Sequence, residues 1–268
     1  MHAATLRRRV DPRACQRSCA CTASLRGCGR WQPPRRAHST GAAGEGASEE
    51  SVREPRKVTV YTRTGDKGTS SLYNGTRQTK GHDVFHALGM TDSLNAHLGL
   101  AREHLLSQKP MAKGLQLCDE LEQLQSALID LGAAVATPPS SSSPEQLARV
   151  AFDGTGRAAQ LERWIDAHEE ALPPLRTFVL PGGGIFAAHL HVARTVARET
   201  ERTLVMLHEA PAEAGGGLAP GVLSFANRLS DYLFVAGRVA AALPSPWGGV
   251  ERPYVPCQPE PQEEEKQE

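Results

Sequence analysis

Three groups of residues in this 268-residue chain have types and spacing that could carry chemistry, and the first two could hold a polyanion. The first is the run Thr62-Arg63-Thr64-Gly65-Asp66-Lys67-Gly68-Thr69-Ser70. Its small hydroxylic residues and two glycines let backbone N–H groups converge, and Lys67 adds a positive charge. It lacks the G-x-x-x-x-G-K-[ST] pattern of a Walker phosphate loop, and the same residues also make an ordinary polar turn. The second group is Arg194, Arg198, Glu201 and Arg202. Steps of four and three place these on one helical face, with about 6 Å of axial rise between successive arginines. Three guanidinium groups so close repel unless acids or an anionic ligand oppose them. A solvated face with Glu199 and Glu201 as partners is the alternative. Just upstream, Pro181-Gly182-Gly183-Gly184 permits close backbone approach at the positive end of that helix. The third group is Asn227 and Asp231, four apart beside an apolar stripe, with Asp92 on an earlier helix. Buried Asn and Asp need partners, which arginines of a neighbouring helix would supply; a structural polar layer that fixes helix register is the other reading.

Other chemistries are missing from the pattern. His189 and His191 are two apart on a predicted helix, so they point to different sides and make no two-histidine metal site. There is no H-E-x-x-H, no Cys-x-x-Cys in the body and no G-x-S-x-G. Neither a protein-bound transition metal nor a serine-hydrolase mechanism is expected.

Helices must position these groups. Lys57 to Thr62 alternates and is β-branched, which predicts a short extended segment. From Asp83 to about Leu106, apolar residues fall at helical spacing: Val84, Leu88, Leu94, Leu98 and Leu105. Leu117, Leu121, Leu124, Leu128, Leu131 and Val135 then step by four and three alternately, the a/d seam of a bundle helix stopped by Pro138 and Pro139. Residues 140–144 read as a loop. A third helix is predicted over 156–171 with Leu161, Trp164 and Ile165 inward, a fourth over 185–207, and a fifth over 221–243 with Val222, Phe225, Ala226, Leu229, Leu233, Ala236 and Ala240 on one face. The expected fold is an all-α five-helix bundle, one domain over 57–245, with the extended segment at its N-terminal edge.

Charge divides the chain. Residues 1–44 hold nine arginines, no lysine and one acid, a net of +8; the remainder holds 21 basic and 29 acidic groups, a net of −8. The arginine-rich, acid-poor leader predicts a mitochondrial transit peptide over 1–44 and hence a matrix protein, with a linker over 45–56. An acidic body disfavours nucleic acid as a partner, and no apolar run approaches the ~18 residues that span a bilayer. Cys15, Cys19, Cys21 and Cys28 lie in the leader, leaving Cys118 and Cys257 far apart, which fits a reducing compartment. Residues 246–268, rich in proline and glutamate, are expected to be a disordered tail.

Taken in order, Thr62–Gly68, the stretch from Phe178-Val-Leu-Pro-Gly-Gly-Gly184 into Arg194–Arg202, and Asn227-Arg-Leu-Ser-Asp-Tyr-Leu-Phe234 closely resemble the ATP:corrinoid adenosyltransferases of the propanediol-utilisation type, in particular their vertebrate mitochondrial branch. The resemblance covers about Lys57 to Leu243. It implies a homotrimer of five-helix bundles that binds ATP, Mg²⁺ and cobalamin at the interfaces between subunits. It also implies methylmalonyl-CoA mutase as consumer of the product, and a flavin or other reductase as source of the electron. It assigns Thr62, Arg63, Thr64, Gly65, Lys67, Ser70 and Lys80 to the nucleotide loop, and Arg198, Glu201, Arg202, Asn227 and Asp231 to the nucleotide as well. Arg194 matches an arginine paired with an aspartate at the position of Asp92, a pair needed for productive corrinoid binding. Phe178 matches the aromatic that lies under the corrin ring and displaces its lower ligand. The chain departs from the vertebrate pattern at Glu199, where a second arginine is usual, and at Gly182, where a serine is usual. Besides an enzyme, the same features admit a carrier that delivers adenosylcobalamin to the mutase with little turnover, or a plain helical interaction module.

Overall fold

The computed structural model describes residues 61, 63–109, 112–244 and 249–256. All belong to the compact unit that begins at Val58. The leader, the linker, Thr62 with most of the extended segment, and residues 257–268 lie outside the described residues.

Five long helices form where the apolar periodicity places them: α1 (Asp83–Ser107), α2 (Ala112–Val135), α4 (Gly154–Glu169), α5 (Ile185–Glu209) and α6 (Val222–Ala242). α5 packs on α1 and α6, α4 lies against α6, and α2 lies against α1. The whole α2 seam, Leu117 to Val135, is at most 3% exposed. Each such leucine contributes up to about 1.5–3 kcal/mol of apolar burial, and the Glu and Gln residues between them are themselves good helix formers. No described helix is long and apolar enough to cross a membrane.

Three local features differ from the expectation. A sixth, short helix α3 (Pro144–Arg149) follows the 140–144 loop, started by a capping box in which Ser143 Oγ accepts from Gln146 N and Gln146 Oε1 accepts from Ser143 N. The chain before α1 folds into a two-stranded antiparallel hairpin, β1 (Thr69–Ser71) and β2 (Arg77–Thr79), so the fold is helical with one small hairpin. Its turn holds Asn74-Gly75 with Gly75 at φ 90°, a pairing that favours tight hairpins. Leu72 anchors it in the core, Tyr73 N donates to Ala136 O at 2.9 Å, and Asn74 Nδ2 donates to Ser141 and Ser142. Finally, residues 249–256, expected within the disordered tail, are tied to the bundle: Leu180 N donates to Arg252 O at 2.8 Å and Tyr254 N to Phe178 O at 2.7 Å.

Among the described residues a polar cluster lies at the centre of the core. Glu120 of α2 is 3% exposed; Tyr232 Oη of α6 donates to its Oε2 at 2.8 Å, and His168 Nε2 of α4 lies 2.8 Å from the same oxygen. Burial, with the Glu120 carboxylate beside it, holds the Tyr232 hydroxyl well above its ordinary pKa.

Candidate functional site

The basic row lies on α5. Arg198 and Arg202 are exposed, Arg194 is half-buried, and Arg202 Nη1 donates to the Arg198 carbonyl at 3.2 Å. The carboxylates proposed as internal partners do not serve them. Glu201 Oε1 instead accepts from Asn227 Nδ2 at 2.8 Å, and Glu199 is exposed about 100° around the helix from Arg198. Among the described residues every ion pair involves other groups, so none of the three guanidinium groups is paired with a carboxylate. Arg194 Nε is buried and has no hydrogen-bond partner. Burial first, and the Arg198 charge second, lower its pKa. Arg194 and Arg198 share a cavity of about 270 Å³ with Glu169 of α4 and Ser230, Asp231 and Phe234 of α6.

The partners expected for Asn227 and Asp231 are therefore different. Both are exposed; Asn227 binds Glu201 across α5 and α6, while Asp231 accepts from Arg228 of its own helix at 2.6 Å. Arg228 also reaches Glu162 at 3.0 Å, so a cation of Asp231's own helix, not one of α5, pairs with the aspartate. Asp92 is not brought to Arg194 either. α1 turns Thr91 and Leu94 into the bundle and leaves Asp92 on the solvent side, with no ion pair to any arginine among the described residues.

The N-terminal loop is held by Arg77, a residue outside the sequence motifs. Arg77 of β2 donates from Nη2 to Thr64 O at 2.7 Å and Thr69 Oγ1 at 2.6 Å, and from Nη1 to Ser71 Oγ at 3.2 Å. Within the loop Gly68 N donates to Gly65 O and Lys80 N to Gly68 O, while Arg63 takes a positive φ of 57°. A Cβ added at Gly65 would meet Thr69 O at 3.3 Å and Lys80 Nζ at 3.4 Å, so the loop backbone and the Lys80 ammonium lie close together here. Lys67 and Lys80 are exposed and Ser70 is half-buried; Thr62 lies outside the described residues. No hydrogen bond or ion pair joins Arg63, Lys67, Ser70 or Lys80 to Arg198, Arg202 or Asn227 in this chain.

Phe178, in the connection between α4 and α5, is 82% exposed, an unusual state for a large apolar ring. It borders a depression of about 460 Å³ with Leu175, Arg176, Thr177, Tyr254 and Pro256. The glycines that follow do not keep space for an anion. A Cβ on Gly249 would lie 1.9 Å from Gly183 C and 2.0 Å from Gly184 N, so the chain's own C-terminal backbone fills the close approach. His189 and His191 do point apart: His189 meets His104 edge-on at 5.6 Å, and His191 is buried with Nδ1 unpartnered. Burial, then the Arg194 charge, lower the His191 pKa. No group of three His, Cys, Asp or Glu among the described residues is arranged to hold a metal ion.

Residues 60–240 match the family described as cobalamin adenosyltransferase. The corrinoid adenosyltransferase MMAB of Mus musculus is 43% identical over 182 residues, 68% of this chain and 72% of that protein. The corrinoid adenosyltransferase of Mycobacterium tuberculosis strain H37Rv is 39% identical over 184 residues, 68% of this chain and 88% of its own length. Among solved structures, a variant PduO-type ATP:corrinoid adenosyltransferase from Lactobacillus reuteri complexed with cobalamin and ATP superposes with a TM-score of 0.61 at 31% identity, over 73% of this chain and 96% of that one.

Proposed function

The chain belongs to the cobalamin adenosyltransferase family and is an ATP-dependent corrinoid adenosyltransferase, and from that premise we propose how its residues share the work. The reaction moves the 5′-deoxyadenosyl group of ATP to the cobalt of reduced cobalamin. The cobalt electron pair of cob(I)alamin forms the bond to C5′; the C5′–O bond breaks and its pair leaves with triphosphate. Because the substrate metal is itself the nucleophile, the protein needs no catalytic serine, cysteine or histidine. Its tasks are to align cobalt with C5′ and to stabilise the charge that gathers on the leaving group.

The observation that carries the assignment is the Arg194–Arg198–Arg202 row, without carboxylate partners among the described residues although the body carries net negative charge. Arg198 and Arg202 hold the triphosphate. The loop of Thr62, Arg63, Thr64, Gly65, Lys67 and Ser70, with Lys80, wraps it, and Arg77 keeps that loop in shape. Asn227, oriented by Glu201, contacts the nucleotide, with Asp231 beside it. Phe178 offers the corrin an apolar face that excludes water and a lower axial ligand. Mg²⁺ arrives with the nucleotide, since this ion is ordinarily held by phosphate oxygens and water with few protein ligands.

A homotrimer unites the separated parts: the loop of one subunit meets the α5 row of the next, and Asp92 meets Arg194 across the same boundary. Exposed Ile185, Val192 and Met206, at spacings of seven and fourteen on α5, support a covered face there. The leader composition supports import into the mitochondrial matrix, with methylmalonyl-CoA mutase as consumer of the product and a reductase supplying the electron. The deciding assay supplies reduced cobalamin, Mg²⁺ and ATP and follows triphosphate together with the adenosylcobalamin spectrum. Arg198→Ala is expected to abolish turnover while the trimer and its thermal melt persist; an unaffected rate removes the site assignment. Stoichiometric binding without turnover would make the protein a carrier.

A further inference from the structure

Arg238 is a charged residue in the most apolar stretch of α6, and the reaction as proposed gives it no task. It is 5% exposed. Its Nε donates to Glu251 Oε1 at 2.8 Å, and its Nη2 donates to the Pro173 carbonyl at 2.8 Å and lies 3.5 Å from Glu251 Oε2. One guanidinium group thus ties together the start of the α4–α5 connection and the C-terminal segment.

Those two pieces are also paired by backbone. The segment 178–180 lies antiparallel to 252–254, through Leu180 N to Arg252 O, Tyr254 N to Phe178 O and a bridge between Val179 and Pro253. Among the described residues, 174–183 make backbone hydrogen bonds with no other element. The place of the Phe178 ring therefore depends on a short strand near the end of the chain. That strand is fixed by the backbone contact of Gly249 with Gly183 and Gly184 and by the Arg238–Glu251 pair.

We propose that Arg238, acting through Glu251, is a positioning residue for adenosyl transfer: it seats the 252–254 strand against 178–180 and thereby sets where Phe178 stands. This rests on Phe178 facing the corrin. The pair is suited to the role. A planar guanidinium reaches a carboxylate and a carbonyl at once, which a lysine ammonium on its flexible stem does with less geometric definition. Being largely out of solvent, it holds its geometry more firmly than an exposed pair.

The test uses the full-length protein with Glu251→Gln and Arg238→Lys, the first chosen because Glu251 is partly exposed and its amide keeps the shape. With cobalamin varied at saturating ATP, kcat should fall between tenfold and about a hundredfold, the scale of a misplacement of around 1 Å. The KM for ATP should stay within twofold. Cob(II)alamin bound with ATP should retain, in its electron paramagnetic resonance spectrum, the nitrogen splitting of the lower ligand that the parent protein removes. A double-mutant cycle with Arg238→Met and Glu251→Met should show the two losses in kcat to be non-additive. Parent-like kcat and spectrum in both conservative variants overturn the proposal, as does an equal loss of ATP binding, which would mark a merely structural role. Phe178→Ala separates this from the reading beneath it: if that variant keeps the parent rate and spectrum, the corrin-facing role of Phe178 fails; if it alone is impaired, the clamp fails.

Discussion

Replacing Glu120 by leucine tests the polar cluster at the centre of the bundle. Leucine fills about the same space, so the change removes acceptors rather than opening a cavity. The Tyr232 hydroxyl and the His168 ring nitrogen, both now 2.8 Å from Glu120 Oε2, would be left in a core where each residue is at most 2% exposed. An unsatisfied buried polar group costs about 1–3 kcal/mol, so two cost about 4 kcal/mol, within the ~3–5 kcal/mol typical of breaking a buried pair from one side. For a body of this size that corresponds to a fall in Tm of roughly 8–16 °C. Tyr232→Phe removes a donor and leaves Glu120 its other neighbours, so it should cost only about 1 kcal/mol. The double variant should melt above Glu120→Leu alone, because the orphaned hydroxyl is gone. Differential scanning calorimetry on the three variants measures all of this. A Glu120→Leu melt within 2 °C of the parent, or a double variant as unstable as the sum of the singles, would falsify the account.

Two further outcomes follow from other sites. Arg77→Ala should raise the KM for ATP about tenfold with little change in Tm, since the lost bonds order an exposed loop at a cost near 1.4 kcal/mol; steady-state kinetics at saturating cobalamin reads it, and an unchanged KM removes Arg77 from the loop's support. His191 has its pKa lowered by burial and by Arg194, so the unfolded chain takes up a proton near pH 6.5 that the folded one resists. Stability should then be lost as pH falls below that value, by at most about 1.4 kcal/mol per pH unit, and His191→Gln should flatten the profile in urea titrations between pH 7 and 5; an identical slope excludes His191 as its source.

The helices were readable because burial repeats with the helical period: every residue named in the α2 seam and on the α6 face is buried or packs against the core. The short helix α3 and the hairpin carried their own signals, Ser143-Pro-Glu-Gln146 and Asn74-Gly75, yet neither has apolar periodicity, so a reading keyed to periodicity passes over both. The basic row was legible as spacing. Its lack of acid partners was not, because Glu201 turns toward Asn227 and Arg228 takes Asp231, choices that only packing between α4, α5 and α6 decides. Arg238 was hidden for the opposite reason. Its carboxylate stands thirteen positions later, beyond the helix, in a stretch whose proline and glutamate content resembles a tail. The glycines at 182–184 mark a close approach, but what approaches Gly183 and Gly184 is Gly249, and sequence alone does not say which backbone fills a gap.

The arginine row, proposed to hold the triphosphate, also has a meaning for the protein before any nucleotide binds. Charges about 6 Å apart, the rise between successive arginines of the row, would repel by about 0.7 kcal/mol per pair in water, and by more where solvent is partly excluded. The empty protein therefore holds a small reserve of electrostatic strain that any compact polyanion discharges. Phosphate, sulfate and the expelled triphosphate all qualify. On the proposed assignment buffer anions would compete for the site, and a grip that eases departure of the leaving group would also slow its escape.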